Sequence, residues 1–406
     1  MAVESYINLS EMKLSGKRVF LRLDLNVPLK DGKVIDDNRI KAALPTLNFL
    51  VESGAKVIVA SHLGRPKTDE DKQKLSLEPV ASALIEEGFE VLLMDSPDSE
   101  APVELAKGLS GKQIILLENL RFHAGETKNS NELAVKWSKY TDIYVNDAFG
   151  ASHRAHASID ALAKLIPEKA YGFLISKEVD ALKTVKEAPK KPFYILTGGS
   201  KVSDKIPLLE SLADKMDGVI IGGAMAYTFM KADGVNVGSS RVEESAIGTA
   251  KTFLNRMRGA GKKVFLPVDH LVVENFNDTE FTKTASESIE AGKMGLDIGP
   301  KTIELYSGAI HEAGSVFWNG PMGVYERKPF DTGSLAMAKA LADSKAYTVV
   351  GGGDSAAAAI DSGYSEKIDH ISTGGGASLE FIQGIKLPGL EALKVRLPEQ
   401  VEEEEL

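Results

Sequence analysis

Tyr347-Thr348-Val349-Val350-Gly351-Gly352-Gly353-Asp354-Ser355-Ala356-Ala357-Ala358-Ala359-Ile360 passes from a β-branched run through three glycines into a run of alanines. β-Branched side chains favour a pleated strand and alanine favours a helix, so the stretch predicts strand, tight turn, helix. The glycines let backbone approach a ligand with no side chain in the way. Asp354 and Ser355 fall where the helix begins, in position to cap its free amides. A helix start with bare N–H groups, at the positive end of the macrodipole, is a phosphate site. A glycine-rich turn that only caps its helix fits these residues equally well.

The same alternation extends through the chain. Strands are expected at Arg18–Leu23, Lys56–Ala60, Glu90–Met94, Gln113–Leu117 and Asp142–Asn146 in the first half. In the second half they are expected at Phe193–Thr197, Gly218–Ile221, Lys263–Leu266, Ser315–Trp318 and Tyr347–Val350. Amphipathic stretches such as Arg39–Glu52 and Glu78–Glu87 lie between them. Alternating βαβ with short apolar strands implies a parallel sheet covered by helices. Tyr171–Glu187 has helical spacing and is followed by Pro189, which marks it as the connection between two similar α/β domains.

The length of 406 residues exceeds what one core usually serves, in keeping with two domains. Apolar content of 43% and charged content of 26% are ordinary for a globular protein. The net charge of −10 argues against a nucleic-acid binder. With no cysteine, disulfides, thiolate metal sites and thiol catalysis are excluded. The N-terminal stretch lacks an apolar export segment and no apolar run approaches membrane-spanning length, so a cytoplasmic protein is expected. The acidic run Glu402–Glu405 is expected to be solvated and frayed.

Polar residues foreign to a core gather just after the strands, where open parallel sheets bind their ligands. Asp24 and Asn26 follow the first strand and His62 and Arg65 the second; Arg121 and His123 follow the fourth, and His153, Arg154 and His156 the fifth. Arg39 joins them from the first amphipathic stretch. Guanidinium forks match phosphate and carboxylate oxygens. Any one of the four arginines fits a surface salt bridge, but all four together call for an anion. The ligand expected here is small, polar and doubly anionic, such as a phosphorylated carboxylate. Of the histidines, His62 and His156 are the better candidates for ligand contact.

The second half carries different chemistry. Gly198-Gly199-Ser200-Lys201-Val202-Ser203-Asp204-Lys205 sets two lysines four apart after a glycine turn, able to share one helix face and one phosphate chain. Each lysine alone fits a solvated helix face. Gly222-Gly223 follows the next strand, Gly295 offers a small-residue spot beside a flat base, and Asn319-Gly320-Pro321-Met322-Gly323 follows another strand. With Asp354 able to hold Mg²⁺, the set reads as a nucleotide site. It is not a Walker P-loop, since no GxxxxGK[ST] occurs.

In this order, Arg22-Leu23-Asp24-Leu25-Asn26-Val27-Pro28, His62-Leu63-Gly64-Arg65-Pro66, Glu118-Asn119-Leu120-Arg121-Phe122-His123, Asn146-Asp147-Ala148-Phe149-Gly150, His153-Arg154-Ala155-His156, Gly199-Ser200-Lys201-Val202, Trp318-Asn319-Gly320-Pro321-Met322-Gly323 and Gly351-Gly352-Gly353-Asp354-Ser355 resemble the phosphoglycerate kinase family over roughly residues 5–393. The resemblance implies two Rossmann-like domains, each a parallel sheet flanked by helices, joined by a hinge helix with a cleft between. The implied boundaries are 1–170 for 3-phosphoglycerate, 171–188 for the hinge helix and 189–386 for MgATP or MgADP. A segment from about 387 to 406 packs back on the first domain, through Leu387–Leu393. Residues from about Lys394 onward extend past the family's usual terminus.

Matched by motif, the phosphoglycerate side comprises Asp24, Asn26, Arg39, His62, Leu63, Gly64, Arg65, Arg121 and Arg154. The nucleotide side comprises Lys201, Lys205, Gly295, Asn319, Glu326, Gly351, Gly352, Gly353, Asp354 and Ser355. Ser355 stands where many members have threonine, and the hydroxyl is retained. The implied reaction is phosphoryl transfer between ATP and the carboxylate of 3-phospho-D-glycerate. An acceptor already ionised at neutral pH needs no general base. Arg39, Lys205 and Lys201 are then the expected catalytic groups, Asp354 the Mg²⁺ ligand, hinge closure the gating step and a monomer the working form. A different small-carboxylate kinase and a non-catalytic two-lobed anion-binding protein are the rival readings.

Overall fold

The computed structural model describes residues 4–396; the acidic run Glu402–Glu405 lies outside the described residues. The chain divides into two compact units. One runs to Glu178 and resumes at Lys386, and the other is Val179–Ile385.

The first unit is built on six strands: β1 (Arg18–Leu23), β2 (Lys56–Ala60), β3 (Glu90–Leu93), β4 (Gln113–Leu116), β5 (Ile143–Asp147) and β6 (Glu168–Tyr171). They pair in parallel in the order β3-β4-β2-β1-β5-β6. Successive side chains on a strand point to opposite faces. Val19, Leu21 and Leu23 of β1 accordingly join Val57, Val59 and Val145 on one face, where Ile40, Leu47 and Leu50 of helix α1 (Asn38–Glu52) cover them. Phe20, Ile58, Ile115 and Tyr144 fill the other face with Trp137 and Leu162. Both faces are covered, which is why the strands read as unbroken apolar runs.

The fifth strand starts one residue later than expected. Asp142 is taken out of it by Arg18, whose amide donates to Oδ2 at 2.8 Å and whose Nη2 donates to Oδ1 at 2.7 Å. β6 was not expected from the sequence, because Glu-Lys-Ala-Tyr at a sheet edge buries only Ala170 fully. Helix α2 (Phe173–Glu187) begins two residues late, since Tyr171 still belongs to β6. Its first-turn amides are taken up by the Oγ1 of Thr46 and the carboxylate of Asp147. At the far end of the chain, the Gly389 amide donates to the Ser152 carbonyl at 2.9 Å. Ala392 and Leu393 pack into the core beside Trp137.

The second unit carries β7 (Phe193–Thr197), β8 (Gly218–Ile221), β9 (Lys263–Phe265), β10 (Ser315–Asn319), β11 (Tyr347–Val350) and β12 (His370–Ile371). All pair in parallel in the order β9-β8-β7-β10-β11-β12. This is the doubly wound order whose direction reverses between β7 and β10, the crevice where such sheets take a ligand. A three-stranded antiparallel sheet (His270–Val273, Thr282–Lys283, Met294–Ile298), unforeseen in the sequence, is added after β9.

Candidate active site

In the first unit the carboxyl ends of β1, β2, β4 and β5 supply the polar groups. Asn26, just beyond β1, accepts the amide of Gly64 at 2.8 Å and so ties two strand-end turns together. Gly64 has φ of +59°, a left-handed conformation that strains any residue with a Cβ, which favours glycine there. Buried Asn119 braces the same turn, accepting from Leu63 N at 3.1 Å and donating to Leu63 O at 2.7 Å. Arg121 donates from Nη1 to the Gly64 carbonyl at 2.5 Å. Asp24 receives Arg39 from α1 at 2.5 Å. Burial opposes ionisation of Asp24, but the neighbouring His62 ring and the guanidiniums of Arg39 and Arg22 together outweigh it and hold the carboxyl below its ordinary range.

Three of the four expected arginines share one cavity, and Arg39 is not among its lining residues. Arg65, Arg121 and Arg154 line one cavity of about 620 Å³ together with His156. Among the described residues none of these three has a carboxylate within ion-pair distance, and only Arg39 of the expected four is paired. The Arg121 guanidinium is pushed down to about 10, first by burial and then by repulsion from Arg22 and Arg154. Like charges gathered without a counter-ion are costly unless a ligand supplies the negative charge. His62 sits behind this face, 6% exposed, with Nδ1 3.2 Å from Arg22 Nη2. Lys67 and Lys72 also line the cavity and were not singled out from the sequence. They lie on a polar turn whose helix, Asp69–Lys74, gives no apolar periodicity to place it.

In the second unit the glycine turns interlock at the reversal point. Gly198 N donates to Asn319 O at 3.1 Å and Gly199 N to Pro321 O at 3.0 Å. The Gly223 amide reaches Met322 O at 2.9 Å. Gly199, Gly320 and Gly352 all adopt positive φ, near +100°. Asn319, the last residue of β10, donates to Gly351 O at 2.6 Å and accepts from the ammonium of Lys205. Burial pushes Lys205 below its ordinary value, while Asp354 and Asp204 oppose the shift.

The opening stretch folds as strand, turn and helix, with α4 at Gly353–Asp361 and helix α3 (Val202–Leu212) following the Gly198-Gly199 turn. The expected capping does not occur. Gly352 is the cap residue, and among the described residues no side-chain cap bonds the first-turn amides. Ser355 instead accepts Gly320 N at 3.2 Å and donates to Gly351 O at 2.6 Å, turned back into the glycine turns. Asp354 is exposed in the first turn. The amides of α4 are thus left open, as a phosphate site requires.

The two lysines are not equivalent. Lys201 is the exposed residue preceding α3, and Lys205 lies within its first turn, half-buried. Gly295 has its own reason to be glycine: an added Cβ would fall 2.0 Å from the Tyr227 hydroxyl. Glu326 is exposed on the turn after β10. A cavity of about 660 Å³ on the three-stranded sheet is lined by Glu274, Asp278 and Glu280 against the single cation Lys293, a net negative lining that disfavours a phosphate chain.

Doubly wound parallel sheets, one with arginines lacking a carboxylate partner and the other with open glycine turns and a half-buried lysine beyond their strand ends, define an α/β phosphotransferase. The comparisons with known proteins give its kind. The family model for phosphoglycerate kinase matches residues 9–385. The chain is 52% identical to a phosphoglycerate kinase of Bdellovibrio bacteriovorus, covering 95% of this chain and 97% of that one. It is 50% identical to one from Anaeromyxobacter dehalogenans, over 94% and 97%. Among solved structures, phosphoglycerate kinase from Coxiella burnetii matches with a TM-score of 0.86 at 38% identity, over 96% of this chain and 99% of that one. The enzyme from Pyrococcus horikoshii matches at 0.80 and 35%, over 95% and 98%. The chain belongs to the phosphoglycerate kinase family. No helix among the described residues is long and apolar enough to cross a membrane.

Proposed function

We propose that the chain catalyses reversible phosphoryl transfer between ATP and the carboxylate of 3-phospho-D-glycerate, giving 1,3-bisphosphoglycerate and ADP, as a step of glycolysis and gluconeogenesis. The observation that carries the reading is the cavity of Arg65, Arg121 and Arg154, which has no carboxylate of its own. A ligand bearing both a phosphate and a carboxylate supplies the missing negative charge. Asp24, Asn26, Arg39, His62, Leu63 and Gly64 complete that side.

Lys201, Lys205, Gly295, Asn319, Glu326 and the turn Gly351–Ser355 take the nucleotide. The open amides at the start of α4 and the Lys205–Asn319 contact support that half. Among the described residues no three acidic or imidazole groups form a metal cage. A lone exposed carboxylate, Asp354, suits Mg²⁺ carried mostly by nucleotide oxygens and water. Held there, the ion would neutralise charge on the phosphate oxygens.

The acceptor is already ionised, so the protein's work is alignment and charge stabilisation. Arg39 and Lys205 are assigned to the moving phosphoryl group, with Lys201 and the α4 amides assisting. Donor and acceptor must lie in line, so turnover includes a closing motion about α2 that also excludes water. The working form is a cytoplasmic monomer, which sedimentation checks.

The test follows ATP consumption with 3-phosphoglycerate, with acetate and with no acceptor. Turnover with the first alone is expected. Equal turnover with acetate makes it another carboxylate kinase, and binding of 3-phosphoglycerate without turnover makes it a binding protein.

A further inference from the structure

Four side chains of the first unit form a chain of hydrogen bonds behind the arginine face. Glu126, Ser158 and Arg22 are fully buried, and His62 nearly so. The partners at each end fix every hydrogen between them, because a carboxylate only accepts and a guanidinium only donates. The Ser158 hydroxyl lies 2.7 Å from Glu126 Oε1 and 2.8 Å from Arg22 Nε. Its hydrogen must therefore go to Glu126, and its lone pair must face Arg22. Glu126 Oε2 holds the same residue from behind, accepting the Ser158 amide at 2.9 Å. Arg22 Nη2 then stands 3.2 Å from His62 Nδ1. A donor there needs a lone pair on Nδ1, which leaves the ring hydrogen on Nε2.

We propose that Glu126 is a positioning residue for the substrate face, acting through Ser158 and Arg22 to fix His62 as a neutral ring that offers Nε2–H to the ligand. The competing partner for Nδ1 is Asp24 Oδ1, but at 3.9 Å it is outside hydrogen-bond range. A second ring proton would put N–H against the guanidinium. Burial acts in the same direction and, with Arg22 and Arg121, pushes the imidazolium down to about 3, against the pull of Asp24 and Glu126. Among the described residues no protein group accepts from Nε2. Glu126 keeps its charge despite burial because His156, Arg22 and Ser158 hold the carboxyl below its ordinary range. Without that charge Arg22 would be a buried cation left with Asp24 as its remaining counter-charge, and nothing would hold the Ser158 hydrogen away from it.

This inference rests on reading the arginine face as the phosphoglycerate site, and its test separates the two. Nitrogen-15 NMR of the whole protein with labelled histidine reads the tautomer directly. His62 is expected to keep a bare Nδ1 and a protonated Nε2 from about pH 5 to about pH 8, the range over which a free imidazole titrates. In Glu126→Gln that signature is expected to give way to a mixture of tautomers. The KM for 3-phosphoglycerate should rise about tenfold, the cost of one hydrogen bond, with the KM for ATP within about twofold of the parent. Ser158→Ala, which removes the relay and leaves both charges, should shift both readouts the same way. A wild-type His62 with its hydrogen on Nδ1, or titrating within that range, overturns the proposal even if no variant folds. So does an unchanged His62 signature in a folded Glu126→Gln. A wild type inactive with 3-phosphoglycerate overturns the substrate assignment, and the tautomer result stands apart from it.

Discussion

Asp147, the last residue of β5, accepts the amide hydrogen of Ile175 in the first turn of α2 at 2.9 Å. A strand end of the first unit thereby caps the helix in which the chain passes from one unit to the other. The cap is an unusual one. Among the described residues its Oδ2 is buried without a hydrogen-bond partner, and burial pushes the carboxyl up to about 6 against the pull of Thr46 and the Ile175 and Leu174 amides.

A carboxyl raised in the folded state stabilises the fold fully below its unfolded value, and the contribution fades as pH climbs through the folded value. For Asp147 that window runs from about 4 to about 6. Asp147→Asn keeps the oxygen facing Ile175 and cannot ionise. Urea unfolding of the variant should lose less stability than the parent between about pH 4.5 and about pH 7, by at most about 3 kcal/mol. Parallel curves for the two proteins would mean that Asp147 is ionised throughout.

Among the described residues Arg39 is the one member of the arginine set engaged with a carboxylate, Asp24. If it stabilises the transferring group, Arg39→Ala should lower kcat by about 10³-fold or more, as for other charge-stabilising arginines in phosphoryl transfer. Steady-state rates at saturating substrates decide this. Near-normal turnover would remove Arg39 from the catalytic role.

Arg65 lines the cavity, exposed and unpaired among the described residues. Arg65→Ala should leave stability within about 0.5 kcal/mol. It should raise the KM for 3-phosphoglycerate about 10- to 100-fold, the loss of one or two charge-assisted hydrogen bonds. A dominant effect on the KM for ATP would show that the two ligands have been assigned to the wrong units.

Gly352 combines φ of +94° with an added Cβ only 2.5 Å from Asn319 Nδ2. That nitrogen bonds Gly351 O, so an alanine would force apart the two turns that frame the start of α4. Gly352→Ala should cost about 1–3 kcal/mol of stability. It should also raise the KM for ATP while sparing that for 3-phosphoglycerate. Unchanged ATP kinetics would separate this turn from nucleotide binding.

Much of the fold was legible in the sequence. Ten strands were placed by apolar runs such as Phe193–Thr197, which is buried at every position and so carries a continuous signal. β6 and β12 escaped because an edge strand of mixed polarity and a two-residue strand have no pattern to detect. Arg65, Arg121 and Arg154 were legible because each lies in the segment after a strand, whereas Arg39 stands in α1. Glu126 was not: it lies in a four-residue helix, and its importance comes from meeting Ser158, 32 residues away, in the folded core. Ser355 was misread as a cap because sequence position cannot show that Gly320 N and Gly351 O would claim its hydroxyl.

Leu393 and Ala392 fill the same core as Phe20 and Tyr144, and Gly389 is held by Ser152. A ribosome delivers these partners at opposite ends of its work. The half that emerges first is consequently finished last, and keeps an unsealed apolar flank for as long as residues 179–385 are being added. During that interval a nascent chain is most exposed to misassembly and most in need of a chaperone's shelter.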